Sequence, residues 1–147
     1  MLAIGSDHGG YELKKVLMDV LTRQGVDFKD FGTYSCDSCD YPAIARNVCR
    51  AVLSGECERA VLICGTGIGM SIAANRFSGI RAALCSDTFS AEMSRRHNDA
   101  NILVLGARVL GPGLAEKILD TFLNTPFDGG RHARRVAMLE HMTDSDT

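Results

Sequence analysis

The chain has 147 residues, enough for a single domain spanning 1–147 with a real core, and it is 46% hydrophobic and 23% charged with a net charge of −2. That balance gives no electrostatic reason to expect nucleic acid or a membrane surface as partner, and no apolar run approaches the ~20 residues needed to span a bilayer. The chain has no tryptophan, so no large aromatic platform is available.

The first residues, MLAIGSDHGG, contain no basic region before an apolar one. No signal peptide is expected, a cytoplasmic location follows, and the six cysteines read as reduced thiols. Leu2–Ser6 is a short apolar run, hence a strand. From Gly9 to Gln24 the spacing is helical, with Leu13, Val16, Leu17, Val20 and Leu21 on one face and Gly25 as the terminator. Val26–Phe31 alternates and reads as a second strand. A polar loop, Gly32–Asp40, leads to Pro42 and a helix through Leu53, closed by Gly55. Arg59–Cys64 is a third strand, Gly67–Asn75 a helix, and Gly79–Cys85 a fourth strand. Ser86 or Asp87 caps a helix that runs to Arg96. Ile102–Leu105 is a fifth strand, Gly111-Pro112 opens a helix to Asn124, and Arg131–Met142 is the last helix. The polar end, Thr143–Thr147, is expected to fray. Strands alternating with helices predict an α/β fold, a three-layer sandwich around a five-stranded parallel Rossmann-like sheet.

In such sheets ligands bind outside the carboxyl ends of the strands. The first strand ends at Ser6-Asp7-His8, the third at Cys64, and the fifth just before Arg108. Cys64 is followed by glycines at alternate positions, Gly65, Gly67 and Gly69. That excess of glycine over the needs of a turn points to backbone N–H groups converging on an anion. No Lys-Ser/Thr follows, so this is not a P-loop, and Met70 breaks the dinucleotide fingerprint. A thiol at a strand end beside a helix start suits a nucleophile or base, whereas Cys85 lacks such a loop and reads as structural. Asp7 also reads as a helix N-cap, and His97 as a favourable charge at a helix end. Arg131 and Arg135 share one helical face, and Arg134 points elsewhere. Cys36-x-x-Cys39 lacks the second ligand pair of a structural zinc site, so no metal is expected there.

GSDHGG near the N-terminus, DYP at Asp40–Pro42, CGTGIG at Cys64–Gly69, SIAAN, RHND at Arg96–Asp99, LGARV with Arg108, and GGRH at Gly129–His132 occur in this order. With them the chain resembles the B-type ribose-5-phosphate isomerases, in the family that also holds galactose-6-phosphate isomerases. The resemblance runs from about residue 2 to about residue 140. It implies an aldose–ketose isomerase interconverting ribose 5-phosphate and ribulose 5-phosphate with no metal or organic cofactor. It also implies a homodimer or dimer of dimers, with active sites between subunits. Cys64 would move the proton between C1 and C2. Gly65, Thr66, Gly67, Ile68 and Gly69 would hold the enediolate oxygens. His97, with Asp7 nearby, would open the furanose ring. His8, Arg108, Arg131 and Arg135 would bind the phosphate, and Tyr41 and Asn98 would touch sugar hydroxyls. One branch of the family lacks the cysteine and uses a glutamate slightly later in the loop. Met70 stands there, which places the chain in the cysteine branch.

Two other readings compete. A six-carbon sugar phosphate, allose or galactose 6-phosphate, would need the same catalytic motifs. A non-catalytic nucleotide- or phosphosugar-binding module would use Asp30 as the acidic residue that holds a ribose. The failed glycine spacing, and the repulsion of a pyrophosphate by Asp7, speak against it.

Overall fold

The computed structural model describes residues 1–143, so the expected fraying falls, from residue 144 on, outside the described residues. Five strands, β1 (Leu2–Ser6), β2 (Phe28–Asp30), β3 (Arg59–Cys64), β4 (Ala82–Leu84) and β5 (Ile102–Gly106), form one sheet in the order β2-β1-β3-β5-β4. Every pairing is parallel. The central strands β1, β3 and β5 are buried on both faces, which explains why they read as continuous apolar runs. Among the described residues six α-helices complete the fold: α1 (Tyr11–Arg23), α2 (Tyr41–Leu53), α3 (Ile68–Ala74), α4 (Thr88–Arg96), α5 (Pro112–Asn124) and α6 (Arg131–Leu139).

Two apolar layers sandwich the sheet. On one side Leu13, Leu17 and Leu21 of α1, Ala91 of α4, and Ile118 and Phe122 of α5 pack on Ile4, Val61, Ile63, Leu103 and Leu105. On the other, Ala45, Val48 and Cys49 of α2 and Met70 and Ala74 of α3 pack on Ala3, Leu62, Cys64 and Val104. Alternate residues of one strand therefore feed opposite layers, as the two-residue period of a strand requires.

The differences from expectation are local. β2 and β4 are three-residue strands, shorter than the runs around them. α1 starts at Tyr11 after one 3₁₀ turn, His8–Gly10, and α6 stops at Leu139. On α1, Val16 is exposed and Lys14 takes a core-facing position instead. The ammonium of Lys14 reaches Asp30 Oδ1 at 2.6 Å and donates to the Thr33 carbonyl. A lysine tolerates full burial only with such partners. Asp30 is thus engaged by α1, which removes the ribose-holding role weighed for it. Asp87 caps α4 as expected, accepting from Ser90 N–H at 2.6 Å. All six cysteines carry free thiols. No helix among the described residues is long and apolar enough to cross a membrane.

Candidate active site

The sheet order reverses between β1 and β3, and the loops leaving these two strands flank the crevice where open α/β sheets bind ligands. Asp7 N–H donates to the Ile63 carbonyl at 3.1 Å, which ties the end of β1 to that of β3. The Asp7 carboxylate accepts from Gly10 N–H at 3.1 Å, so it does act as the expected cap. It also faces the glycine loop: a Cβ added to Gly9 would meet Asp7 Oδ1 at 3.3 Å and Gly65 N at 3.4 Å. His8 is held by the loop between β2 and α2, its Nδ1 accepting from Cys39 N–H at 3.3 Å. With Nδ1 an acceptor, Nε2 carries the proton and is available as a donor.

Cys64 is the last residue of β3 and is buried. Its sulfur accepts from Gly67 N–H at 3.2 Å. That contact needs Gly67 at a left-handed φ of +82°, where a Cβ would also run into Leu84 and the Leu105 backbone. One of the expected anion donors therefore turns inward to hold the thiol. Ile68 N–H likewise goes to Thr66 Oγ1 at 3.2 Å. The loop is clamped to β5 by Ala107 N–H on the Cys64 carbonyl and Arg108 N–H on the Gly65 carbonyl, both 2.9 Å. The Arg108 guanidinium lies over Gly65, and the Tyr41 ring lies over Gly69. Asp7, His8, Tyr41, Cys64–Gly69 and Arg108 thus form one group at the carboxyl edge.

The remaining candidates form a second group elsewhere. His97 is the C-cap of α4, and Asn98 follows it. Arg95 donates to the Ala100 carbonyl at 2.6 Å, and Asn101 then accepts from Ala60 N–H at the start of β3. His97 therefore sits at the amino edge of the sheet. Within one chain Asp7 and His97 lie at different edges, because α4 runs back antiparallel to the strands, so their expected proximity is one between copies. β5 between the two edges has five residues, roughly 16 Å at about 3.3 Å each. His97 stacks on His132, with ring centroids 4.2 Å apart and planes within 9°. These two, with Asn98, Arg135, Val136 and Leu139, line a concavity of about 280 Å³. Partial burial, then the His97, Arg131 and Arg135 charges, hold the His132 imidazole below the ordinary histidine range, with Asp128 opposing. Arg131 and Arg135 thus lie within electrostatic reach of His132. Arg134 is exposed and borders an apolar recess with Met138 and Met142. A larger concavity of about 680 Å³ touches Asn98 but none of the Cys64 loop.

Sequence reasoning missed two contributors. His132 lay in the quoted GGRH motif, but only its stacking on His97 marks it. The Cys39 amide, which orients His8, leaves no trace in residue type.

The chain matches the family model described as Ribose/Galactose Isomerase over residues 2–139. It is 49% identical over 135 residues to a protein of Escherichia coli named ribose-5-phosphate isomerase B, covering 92% of this chain and 91% of that one. A Pectobacterium atrosepticum relative named D-erythrulose-4-phosphate isomerase is 42% identical over 139 residues, covering 92% and 90%. A solved structure titled as Clostridium thermocellum ribose-5-phosphate isomerase B superposes with a TM-score of 0.96 at 52% identity, covering 99% of both chains.

Proposed function

The chain belongs to the ribose/galactose isomerase family, and we propose that it interconverts ribose 5-phosphate and ribulose 5-phosphate with Cys64 as the base. The observation that carries this reading is the Cys64 sulfur, held by Gly67 N–H at the end of β3 within a loop of backbone donors. A proton next to a carbonyl is weakly acidic, so a base must act together with donors for the developing oxyanion. Cys64 takes the C2 proton of the open-chain aldose and returns it at C1, while the O2 hydroxyl proton passes to O1, so that C1=O becomes the hydroxyl and C2 the carbonyl. The loop from Gly65 to Gly69, with the Thr66 hydroxyl, faces the enediolate oxygens, while its Gly67 and Ile68 N–H groups hold the Cys64 sulfur and Thr66 Oγ1. His97 exchanges protons with the ring oxygen and the anomeric hydroxyl, with Asp7 assisting from the facing edge. His8, Arg108, Arg131 and Arg135 hold the phosphate, for which planar guanidinium forks are suited. Tyr41 and Asn98 contact sugar hydroxyls.

The two groups stand at opposite edges of one sheet, so a single chain cannot close both on one pentose phosphate. A second copy supplies the missing half, as a twofold axis does when each site meets its complement on the partner. Support comes from apolar surface beside each half. Ile68 and Ile72 on α3 are 54% and 61% exposed, and Met138 and Leu139 on α6 are 57% and 48% exposed. None of α6 is buried within its own chain, and contiguous exposed apolar surface of this kind marks an interface. The test is turnover of ribose 5-phosphate, alongside erythrulose 4-phosphate, allose 6-phosphate and galactose 6-phosphate, by native chain and by Cys64→Ala. The highest kcat/KM on ribose 5-phosphate, with loss of nearly all turnover in the variant, is expected. Full turnover in Cys64→Ala refutes the assignment of the base.

A further inference from the structure

We propose that Glu140 is a positioning residue for the phosphate-binding arginines: it fixes α6 against the turn before β4 and so sets where Arg131 and Arg135 stand. The proposal rests on the reading of those two arginines as phosphate ligands. α6 carries both, yet none of its residues is buried within its own chain. Apolar burial is non-directional and leaves a helix free to slide or tilt. The placing of α6 therefore falls to polar contacts at its two ends.

At the amino end, Asp128 N–H donates to the Arg96 carbonyl at 3.0 Å, and Arg96 Nε donates to both Asp128 carboxylate oxygens at 3.2 Å. His132 then stacks on His97. At the carboxyl end the contacts converge on Glu140, the C-cap of the helix. Its Oε2 accepts from Ser78 Oγ at 3.1 Å and from Gly79 N–H at 3.0 Å, and its Oε1 faces Arg81 Nη1 at 3.7 Å. Arg81 extends the network: Nη2 reaches Asp99 Oδ2 at 3.5 Å, and Nε donates to the Asp99 carbonyl at 2.9 Å. Asp99 closely follows His97 and Asn98, so one network ties the helix of the arginines to the segment of the ring-opening group. A carboxylate at a helix C-terminus opposes the macrodipole, so helix stability alone does not account for a glutamate here. The packing around it is open: a concavity of about 680 Å³ is lined by Phe77, Ile80 and Ala82 on the body and by Leu139 and Met142 at the end of α6. The Arg81 and Glu140 side chains are 21% and 34% exposed, so their pairing directs the helix more than it stabilises the fold.

The lever is short. Arg135 lies about 6 Å along the axis from Arg131, at about 1.5 Å per residue. With the carboxyl end released, a tilt of about 10° about the amino end moves Arg135 by about 1 Å, a displacement that costs an enzyme up to about 10²-fold.

The test uses the full chain in its native assembly, verified by native mass spectrometry. Turnover of ribose 5-phosphate and its inhibition by inorganic phosphate are measured first, with Arg135→Ala beside the native chain. Unchanged phosphate inhibition in Arg135→Ala overturns the functional reading, and this proposal with it. In Glu140→Ala, the KM for ribose 5-phosphate and the inhibition constant of phosphate should rise together by about tenfold. The kcat should stay within about twofold of native, the sign of lost binding common to ground and transition states. On top of Arg135→Ala, the same substitution should raise the phosphate constant by less than about threefold, since a group it positions is gone. Glu140→Gln keeps an acceptor for Ser78 and Gly79 but loses the Arg81 pair, and should weaken phosphate by about threefold. Where the alanine variant does not assemble, this isosteric variant decides, and native phosphate affinity in it overturns the proposal. A lowered Tm with native KM and phosphate affinity in Glu140→Ala, or a full tenfold effect on top of Arg135→Ala, also overturns it, because a merely structural glutamate behaves that way.

Discussion

If each site combines the Cys64 loop of one copy with the His97 cluster of another, two inactive variants should restore each other. The perturbation is a pair, Cys64→Ala and His97→Ala, co-expressed so that chains assemble at random. Each parent alone lacks a group expected to contribute about 10²–10⁴-fold, so residual turnover of about 1% or less is expected from either. In a mixed dimer one site receives both substitutions and the other receives neither. Random pairing makes half the dimers mixed, and half the sites of each are intact, so about one quarter of native turnover per chain should return. The proposed sharing predicts this outcome, because Cys64 and His97 stand at opposite edges of a sheet whose strand β5 spans roughly 16 Å with its five residues. The assay is kcat on the co-expressed preparation, with native mass spectrometry reporting the share of mixed dimers. Turnover that stays at the parental level while mixed dimers are present refutes the shared site.

Two further predictions concern the framework. Lys14→Ala leaves Asp30 and the Thr33 carbonyl without their buried partner and should cost about 3 kcal/mol, a fall in Tm of roughly 6–12 °C by calorimetry; an unchanged Tm would show that the buried ion pair adds nothing. Burial pushes the Cys49 and Cys85 thiols up to about 11, so the folded chain keeps both protonated where the unfolded chain has already ionised. This contribution to stability is intact below the ordinary thiol range of about 8.5 and is lost as pH rises from there toward about 11. Urea unfolding should therefore shift to lower midpoints across that window, and iodoacetamide should label exposed Cys36 well before either buried thiol. Labelling of Cys49 or Cys85 first would contradict it.

What the sequence determined by itself is what lies close along the chain. β3, Cys64 and the loop through Gly69 are contiguous, so an apolar run, a thiol and spaced glycines show strand, reactive atom and turn together. The helix from Pro112 to Asn124 and the cap at Asp87 are legible for the same reason, since periodicity and capping act within a few residues. Only the tertiary structure decided what depends on distant partners. Lys14 looks like a surface residue until Asp30 and Thr33 arrive, and Val16, expected on the buried face, is exposed. The Cys39 amide meets His8 across 31 residues of chain. The gathering of candidates into two groups follows from the antiparallel return of α4 along the sheet, which carries His97 to the edge opposite Cys64. Residue types name the chemistry of a site, but the direction of the elements decides which residues of one chain can act on the same molecule.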